Sequence, residues 1–117
     1  MSIGRYQGQN ALEVRDRQGR LVRYSKTNYE RHLIKHPEMA DLIADIEHTI
    51  ADPDIEIDAD NRHVYLYRRG MGTGRLSELW LFVVVLYFGS GQDAEGVVKT
   101  SYFTSKIAKD GRLIWKR

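Results

Sequence analysis

The hydrophobic positions of the chain follow two different periods, and the period changes near residue 54. Upstream of it, apolar side chains recur every three or four positions, which predicts an amphipathic helix (Met39, Leu42, Ile43, Ile46 and Ile50) that ends at residues 52–54. Downstream, apolar and polar residues alternate in residues 54–58, 63–68, 95–103 and 112–116, which is typical of strands. Residues 79–87 are apolar throughout, so they predict a central strand covered on both faces.

The first third of the chain predicts a hairpin and a first helix. Apolar residues alternate loosely on either side of residues 18–19, which indicates a β-hairpin. Thr27 and Glu30 fit a capping box, so a short helix should begin with Thr27 as its N-cap. Pro37 disfavours helical geometry in the preceding residue, so the chain should break at His36 and the second helix should restart with Pro37 in its first turn.

This order of elements predicts an α+β fold, because helices followed by a run of strands do not make a βαβ unit. We expect an N-terminal β-hairpin and two helices packed on a four- to five-stranded antiparallel sheet. Residues 1–117 should form a single domain, with residues 1–26 as a hairpin extension and residues 27–116 as the core. The strand at residues 79–87 should lie between the strands near Tyr65 and Thr100, and the second helix should cross one sheet face.

Composition narrows the class of protein. With 117 residues, 42% hydrophobic and 29% charged, the chain is long enough for one ordinary core and is not disordered in character. It contains no cysteine, which excludes disulfides and thiolate metal sites. No signal peptide is visible in residues 1–10, and the longest apolar run, about ten residues, is roughly half a membrane span. We therefore expect a cytoplasmic protein with no membrane partner.

Charge is strongly segregated along the chain. Residues 1–36 carry a net charge of +5, residues 37–61 carry −9 with no lysine or arginine, and residues 62–117 carry +6, which together give the net charge of +2. Basic flanks suit an anionic ligand such as RNA. The alternative is that these charges only solvate separate surfaces.

Two histidines are the first candidates for chemistry. His32 and His36 are four residues apart, on the helix face that should pack on the sheet. An imidazole titrates near neutrality and can exchange a proton at working pH, as phosphodiester cleavage requires. The alternative roles are helix capping or burial with a hydrogen-bond partner. A zinc site is a weak option, because residue 33 is leucine and no H-E-x-x-H motif is present.

The second candidate is the strand at residues 98–103, where polar residues interrupt an apolar pattern. Thr100 and Tyr102 share one face, and Lys99 and Ser101 share the other. A lysine can balance the charge of a pentavalent phosphorane, and hydroxyl groups can hold its oxygens. The alternative is an edge strand with a solvated face.

Arginines and tyrosines interleave in the preceding strand, in a pattern that suits phosphate contact and base stacking. The candidate substrate-binding residues there, together with two in and after the later strand, are Arg62, Tyr65, Tyr67, Arg69, Ser101 and Lys106.

A family resemblance rests on the order of these motifs. They are Arg31-His32-x3-His36-Pro37-Glu38, an amphipathic helix, Asp52-Pro53-Asp54, a Tyr-x-Tyr-Arg strand, the Val83-Val84-Val85 strand and Lys99-Thr100-Ser101-Tyr102. Over roughly residues 27–116 the run resembles the phage-associated branch of the barnase–EndoU–colicin–RelE group of nucleases, the PBECR-type domains. That group has two N-terminal helices followed by a four-stranded antiparallel sheet.

The resemblance implies a small metal-independent endoribonuclease without a cofactor, with an antitoxin or immunity protein as partner. Its catalytic residues would be His36 or His32, Arg68, Lys99, Thr100 and Tyr102. A histidine, preferably His36, would deprotonate a ribose 2′-OH, while Lys99 and Arg68 stabilise the phosphorane. The second histidine or Tyr102 would protonate the leaving 5′-oxygen.

Other readings remain open. The N-terminal hairpin lies outside the resemblance and is either an ornament or a dimerisation element, which would give a homodimer. The domain as a whole is alternatively a nucleic-acid-binding module that leaves RNA intact. A third alternative is a protein-interaction module, in which the acidic residues 38–47 dock a basic partner.

Overall fold

The computed structural model describes residues 9–117, which form seven strands and two α-helices. The chain break after the first helix contains one turn of 3₁₀ helix, Pro37–Met39. The elements are β1 (Asn10–Arg15), β2 (Leu21–Ser25), α1 (Lys26–Lys35), α2 (Ile43–Ala51), β3 (Ile55–Asp58), β4 (His63–Arg69), β5 (Trp80–Phe88), β6 (Glu95–Thr104) and β7 (Arg112–Lys116). The predicted α+β class is therefore confirmed.

The strands form one mixed sheet in the order β1-β2-β6-β5-β4-β3-β7. β5 is the central strand and lies between β4 and β6, as predicted. The predicted four- to five-stranded antiparallel sheet is confirmed only in part. Five antiparallel strands are present in the order β6-β5-β4-β3-β7, but the N-terminal hairpin extends the sheet to seven strands through a short parallel contact of β2 with β6.

A glycine permits the close contact where the hairpin joins the sheet. Gly96 lies between Val22 of β2 and Tyr87 of β5. A Cβ atom at this position would lie 2.6 Å from Cγ1 of Val85, closer than a van der Waals contact allows. Because glycine has no Cβ atom, the strands can pack closely where the hairpin joins the sheet.

Both helices begin at residues other than those expected. Ser25, with extended backbone angles, caps α1 by accepting a hydrogen bond from Asn28 N at 3.1 Å, so Thr27 lies inside the helix. The second helix begins at Ile43 rather than near Pro37, because Asp41 has a left-handed φ of 63° that ends the 3₁₀ turn. No helix in residues 9–117 is long and apolar enough to cross a membrane.

The two sheet faces are covered differently. On one face, which we call the helix face, Met39, Ile46 and Ile50 pack on core residues of the central strands, which include Leu66 and Val83. On the opposite face, which we call the open face, no helix of residues 9–117 packs on a smaller apolar cluster (Ile55, Ile57, Tyr67, Phe82 and Val84). Within this range, aromatic side chains and Ile107 pack against the cluster.

The hairpin is an integral part of the domain rather than an ornament. Leu12, Val22 and Tyr24 belong to the main core. At the hairpin turn, the carboxylate of Asp16 accepts hydrogen bonds from Arg20 Nε at 2.8 Å and from the buried Tyr87 hydroxyl at 2.7 Å. These contacts fix the turn against the helix face.

Candidate functional site

A bulge in β6 divides the polar strand that the sequence singled out. Val84 pairs with Thr100 and Val85 pairs with Val98, so Lys99 is an extra residue without a partner on β5. Beyond the bulge, Thr100 and Tyr102 face the open face, while Ser101 is buried on the helix face. The predicted group is therefore distributed over both sides of the sheet.

The open face carries a cleft of about 900 Å³ with an aromatic floor. The ring of Phe82 lies at its centre, with ring-centroid distances of 5.2 Å to Tyr65, 4.8 Å to Tyr67 and 5.1 Å to Tyr102. Five residues of the predicted site line this cleft: Tyr65, Tyr67, Thr100, Tyr102 and Lys106. Neighbouring strands bring the first four together because their side chains point to the same face, and Lys106 follows the end of β6.

The segment after β6 forms one wall of the cleft. Its backbone is fixed by a hydrogen bond from Ala108 N to the Tyr67 hydroxyl oxygen at 2.9 Å. Burial raises the pKa of Tyr67, so this phenol is neutral at physiological pH. Lys106 and Lys109 of the same segment supply two exposed positive charges to the cleft lining.

His36 lies at the edge of the sheet and contacts Tyr102, which is one of the residues that line this cleft. Its ring stacks on Tyr102, with 5.1 Å between ring centroids and 21° between planes. β2 pairs with β6 only at Gly96 and Val97, so β2 does not cover the edge of the sheet at Tyr102. His36 follows the last turn of α1, where its N–H donates to His32 O at 2.8 Å, and its Nδ1 lies 3.6 Å from Glu38 Oε2.

His32 lies on the other side of this edge, against the hairpin. Its Nδ1 is 2.5 Å from the hydroxyl oxygen of Tyr24 in β2. Burial lowers the pKa of His32, and electrostatic repulsion from His36, Arg31, Lys35 and Lys99 lowers it further. His32 is therefore neutral at pH 7, and Lys99 is close enough to influence its titration.

Arg68 does not join the histidines. It pairs with Leu81 on the helix face, and its Nη1 donates to Asp52 O at 2.6 Å and lies 3.3 Å from Asp52 Oδ2 and 3.6 Å from Asp54 Oδ1. The prediction that Arg68 lies beside Lys99 and the histidines was therefore wrong. The two-residue period of β4 already places Arg68 on the face opposite Tyr65 and Tyr67.

The remaining arginines and Ser101 also lie outside the cleft lining. Arg62 is exposed in a turn, with its guanidinium 5.8 Å from the ring centroid of Phe88. Arg69 lies over Trp80 at 4.2 Å and donates to Glu78 O at 3.1 Å. Ser101 is 1% exposed and is not accessible to a substrate.

The cleft includes residues that sequence reasoning missed. His63 and Phe82 line it, and both follow from strand alternation, since they share a face with Tyr65 and Tyr102. Lys109 lies in an irregular segment, for which no periodicity signal exists.

Within residues 9–117, no three His, Asp or Glu side chains lie close enough together to hold a metal ion.

Comparison of the chain with protein-family models, curated proteins and solved structures gives no match.

Proposed function

We propose that the protein is a metal-independent endoribonuclease that binds single-stranded RNA in the open-face cleft. The observation that carries this proposal is the position of His36, which stacks on Tyr102 at the rim of an aromatic cleft. A titratable imidazole thus lies beside a surface suited to nucleic-acid bases.

The lining of the cleft supports RNA as the ligand. Base stacking on aromatic side chains contributes about 1–3 kcal/mol per base and tolerates any sequence. Tyr65 and Tyr102 offer partly exposed rings, and Lys106 and Lys109 offer charges for the phosphate backbone. Duplex RNA hides its base faces, so a single strand fits this surface best.

The chemistry follows from the residues at the sheet edge. His36 removes the proton from a ribose 2′-OH, the 2′-oxygen forms a bond to the adjacent phosphorus, and the bond from phosphorus to the 5′-oxygen breaks. Tyr102 or a second histidine supplies the proton to the leaving oxygen, and Lys99 stabilises the phosphorane. The products are a 2′,3′-cyclic phosphate and a 5′-hydroxyl. Arg68 has no part in this scheme, since it is paired with Asp52 and Asp54.

Product analysis in excess EDTA tests the proposal. A single-stranded oligoribonucleotide should yield a 2′,3′-cyclic phosphate, and the oligodeoxyribonucleotide of the same sequence should remain intact because it lacks the 2′-OH. Cleavage only with added Zn²⁺ or Mg²⁺, or cleavage of both substrates, would exclude the proposed chemistry.

A second candidate is an RNA-binding module that leaves its ligand intact. The observation that favours it is the separation of Arg68 from His36, which leaves the flexible Lys99 as the cation proposed for the phosphorane. This module would bind the same oligoribonucleotide with a steep dependence on salt and release it unchanged.

The biological setting is also a proposal. By its resemblance to PBECR-type nucleases, the protein would act in the cytoplasm as a toxin of a toxin–antitoxin or phage-related system. An antitoxin or immunity protein would then be its partner. Co-expression with the product of the adjacent reading frame would test this setting, since that product should relieve growth arrest.

A further inference from the structure

Tyr24, which contacts His32, has no role in the proposed reaction. Tyr24 is fully buried in β2 of the hairpin, and its hydroxyl oxygen is 2.5 Å from His32 Nδ1. Their ring centroids are 5.7 Å apart, so the two residues interact through the hydroxyl group and Nδ1 rather than by ring stacking. Such a short contact requires that one group donates a hydrogen to the other.

Which group donates in this pair depends on the protonation and tautomer of His32. Burial raises the pKa of Tyr24 to about 12, so the phenol keeps its proton at any physiological pH. His32 is neutral at pH 7, and a neutral imidazole has one nitrogen that accepts and one that carries a hydrogen. A phenol hydroxyl is the stronger donor and an imidazole nitrogen the stronger acceptor, which favours Nδ1 as the acceptor and Nε2 as the nitrogen that carries the hydrogen.

A second buried hydroxyl lies against Tyr24. Ser101 Oγ has no hydrogen bond of ordinary geometry within the described part of the chain, although Ser101 is only 1% exposed. Its proximity lowers the pKa of Tyr24 slightly, against the larger effect of burial. An unsatisfied buried hydroxyl is energetically costly, which favours a state in which Ser101 Oγ accepts a hydrogen bond from Tyr24.

We propose that Tyr24 is a positioning residue that sets the tautomer of His32, and that Ser101 accepts the Tyr24 hydroxyl hydrogen once His32 is protonated. In the neutral state, the Tyr24 hydroxyl donates to Nδ1 and leaves the Nε2 hydrogen pointing away from the hairpin. When His32 gains a proton at Nδ1, that nitrogen donates to the Tyr24 oxygen, and the hydroxyl hydrogen turns to Ser101 Oγ.

The consequence for catalysis rests on the proposed function, whereas the tautomer does not. Neutral His32 has no free lone pair outside its bond to Tyr24, so it cannot act as the general base. It can donate from Nε2 to a phosphate oxygen, which assigns proton abstraction to His36. The hairpin, which lies outside the family resemblance, thereby orients a residue of the site.

Several charges surround His32 and bear on its titration. Arg31, Lys35 and His36 belong to its own helix, and Lys99 approaches from β6. From β2 the facing group is Tyr24, which is neutral. The added positive charges oppose protonation, so the hydrogen-bond reversal should occur only below neutral pH.

Long-range ¹H–¹⁵N NMR of the full chain, titrated without RNA, tests the proposal. His32 should show an unprotonated Nδ1 and a protonated Nε2. In Tyr24→Phe both tautomers should appear, because the hydroxyl that donates to Nδ1 is lost. In Ser101→Ala the tautomer should persist, and the His32 pKa should fall because the charged form loses its acceptor.

Tyr29→Phe is the matched control. Tyr29 packs against Tyr24 at a centroid distance of 5.5 Å, but its hydroxyl donates to Met39 O at 2.7 Å, so its removal should leave His32 unchanged. A hydrogen on Nδ1 of neutral His32, or equal effects of Tyr24→Phe and Tyr29→Phe, would overturn the proposal. Because no RNA is present, failure of the nuclease proposal would leave this result intact.

Discussion

Replacement of Arg68 by alanine should destabilise the fold without weakening RNA binding. The Arg68 side chain is 18% exposed and binds the carbonyl oxygen of Asp52 at 2.6 Å, beside the carboxylates of Asp52 and Asp54. A hydrogen bond made by a charged group contributes about 1.5–3 kcal/mol, and Arg117 still pairs with both carboxylates after the change. We therefore expect a loss of about 1.5–3 kcal/mol in the free energy of unfolding.

Urea denaturation measures this loss, and fluorescence anisotropy with a labelled oligoribonucleotide measures binding at a temperature where both proteins are folded. Arg69→Ala is the matched control, because Arg69 is the next residue, is exposed and lies over Trp80 on the other face. Its effect on stability should stay within about 0.5 kcal/mol. An Arg68→Ala protein of unchanged stability that binds RNA tenfold more weakly would refute this reasoning and return Arg68 to the site.

Three further changes have defined outcomes. Gly96→Ala should lower the free energy of unfolding by about 1–3 kcal/mol in urea denaturation, because the new Cβ would lie 2.6 Å from Val85 Cγ1. A variant as stable as the wild type would contradict the close packing at the junction of the hairpin with the sheet. Tyr102→Phe should keep RNA affinity in anisotropy measurements, whereas Tyr102→Ala should weaken it, because the contacts with His36 and Phe82 need only the ring. Equal losses of affinity in the two variants would assign binding to the hydroxyl group. The free energy of unfolding should fall as the pH drops below about 6.5, because the unfolded chain protonates His32 before the folded chain, whose His32 pKa is lowered by burial. Urea denaturation of His32→Gln at pH 7, 6 and 5 should show a smaller decline, and an identical decline would remove His32 as a cause.

The sequence predicted the elements whose periodicity is long and regular. The apolar run of β5 identified the central strand, and the helical spacing of Ile43, Ile46 and Ile50 identified α2. Local backbone geometry was harder to foresee. The positive φ of Asp41 delays α2, and the cap at Ser25 replaces the expected one at Thr27.

Strand partners could not be derived from the same signal. Alternation states which side of a strand is buried but not which neighbouring strand it pairs with. The parallel contact of β2 with β6 and the pairing of β7 with β3 were therefore unforeseen.

The charge pattern of the acidic residues 37–61 also did not predict their partners in the folded protein. Several of these carboxylates pair within the molecule, as Glu56 does with Arg17 and Asp58 does with Arg112.

The candidate site was predicted in part because strand alternation groups side chains by face. Tyr65 and Tyr67 of β4 and Tyr102 of β6 meet in one cleft for this reason. The bulge at Lys99 changes the parity of β6, and no residue pattern signals it. Ser101, predicted to touch substrate, is therefore buried beside Tyr24.

The most direct test of the nuclease proposal compares two histidines, one beside the cleft and one in its lining. His36 stacks on Tyr102 at the sheet edge, whereas His63 lines the cleft from β4 and binds Asp60 O at 3.1 Å. Single-turnover cleavage of an oligoribonucleotide in EDTA should slow by about 10²–10⁴-fold in His36→Ala and by much less in His63→Ala, with both proteins folded by circular dichroism. Cleavage by His36→Ala at the wild-type rate, or intact RNA with the wild-type protein, would contradict the assignment of His36 as the general base.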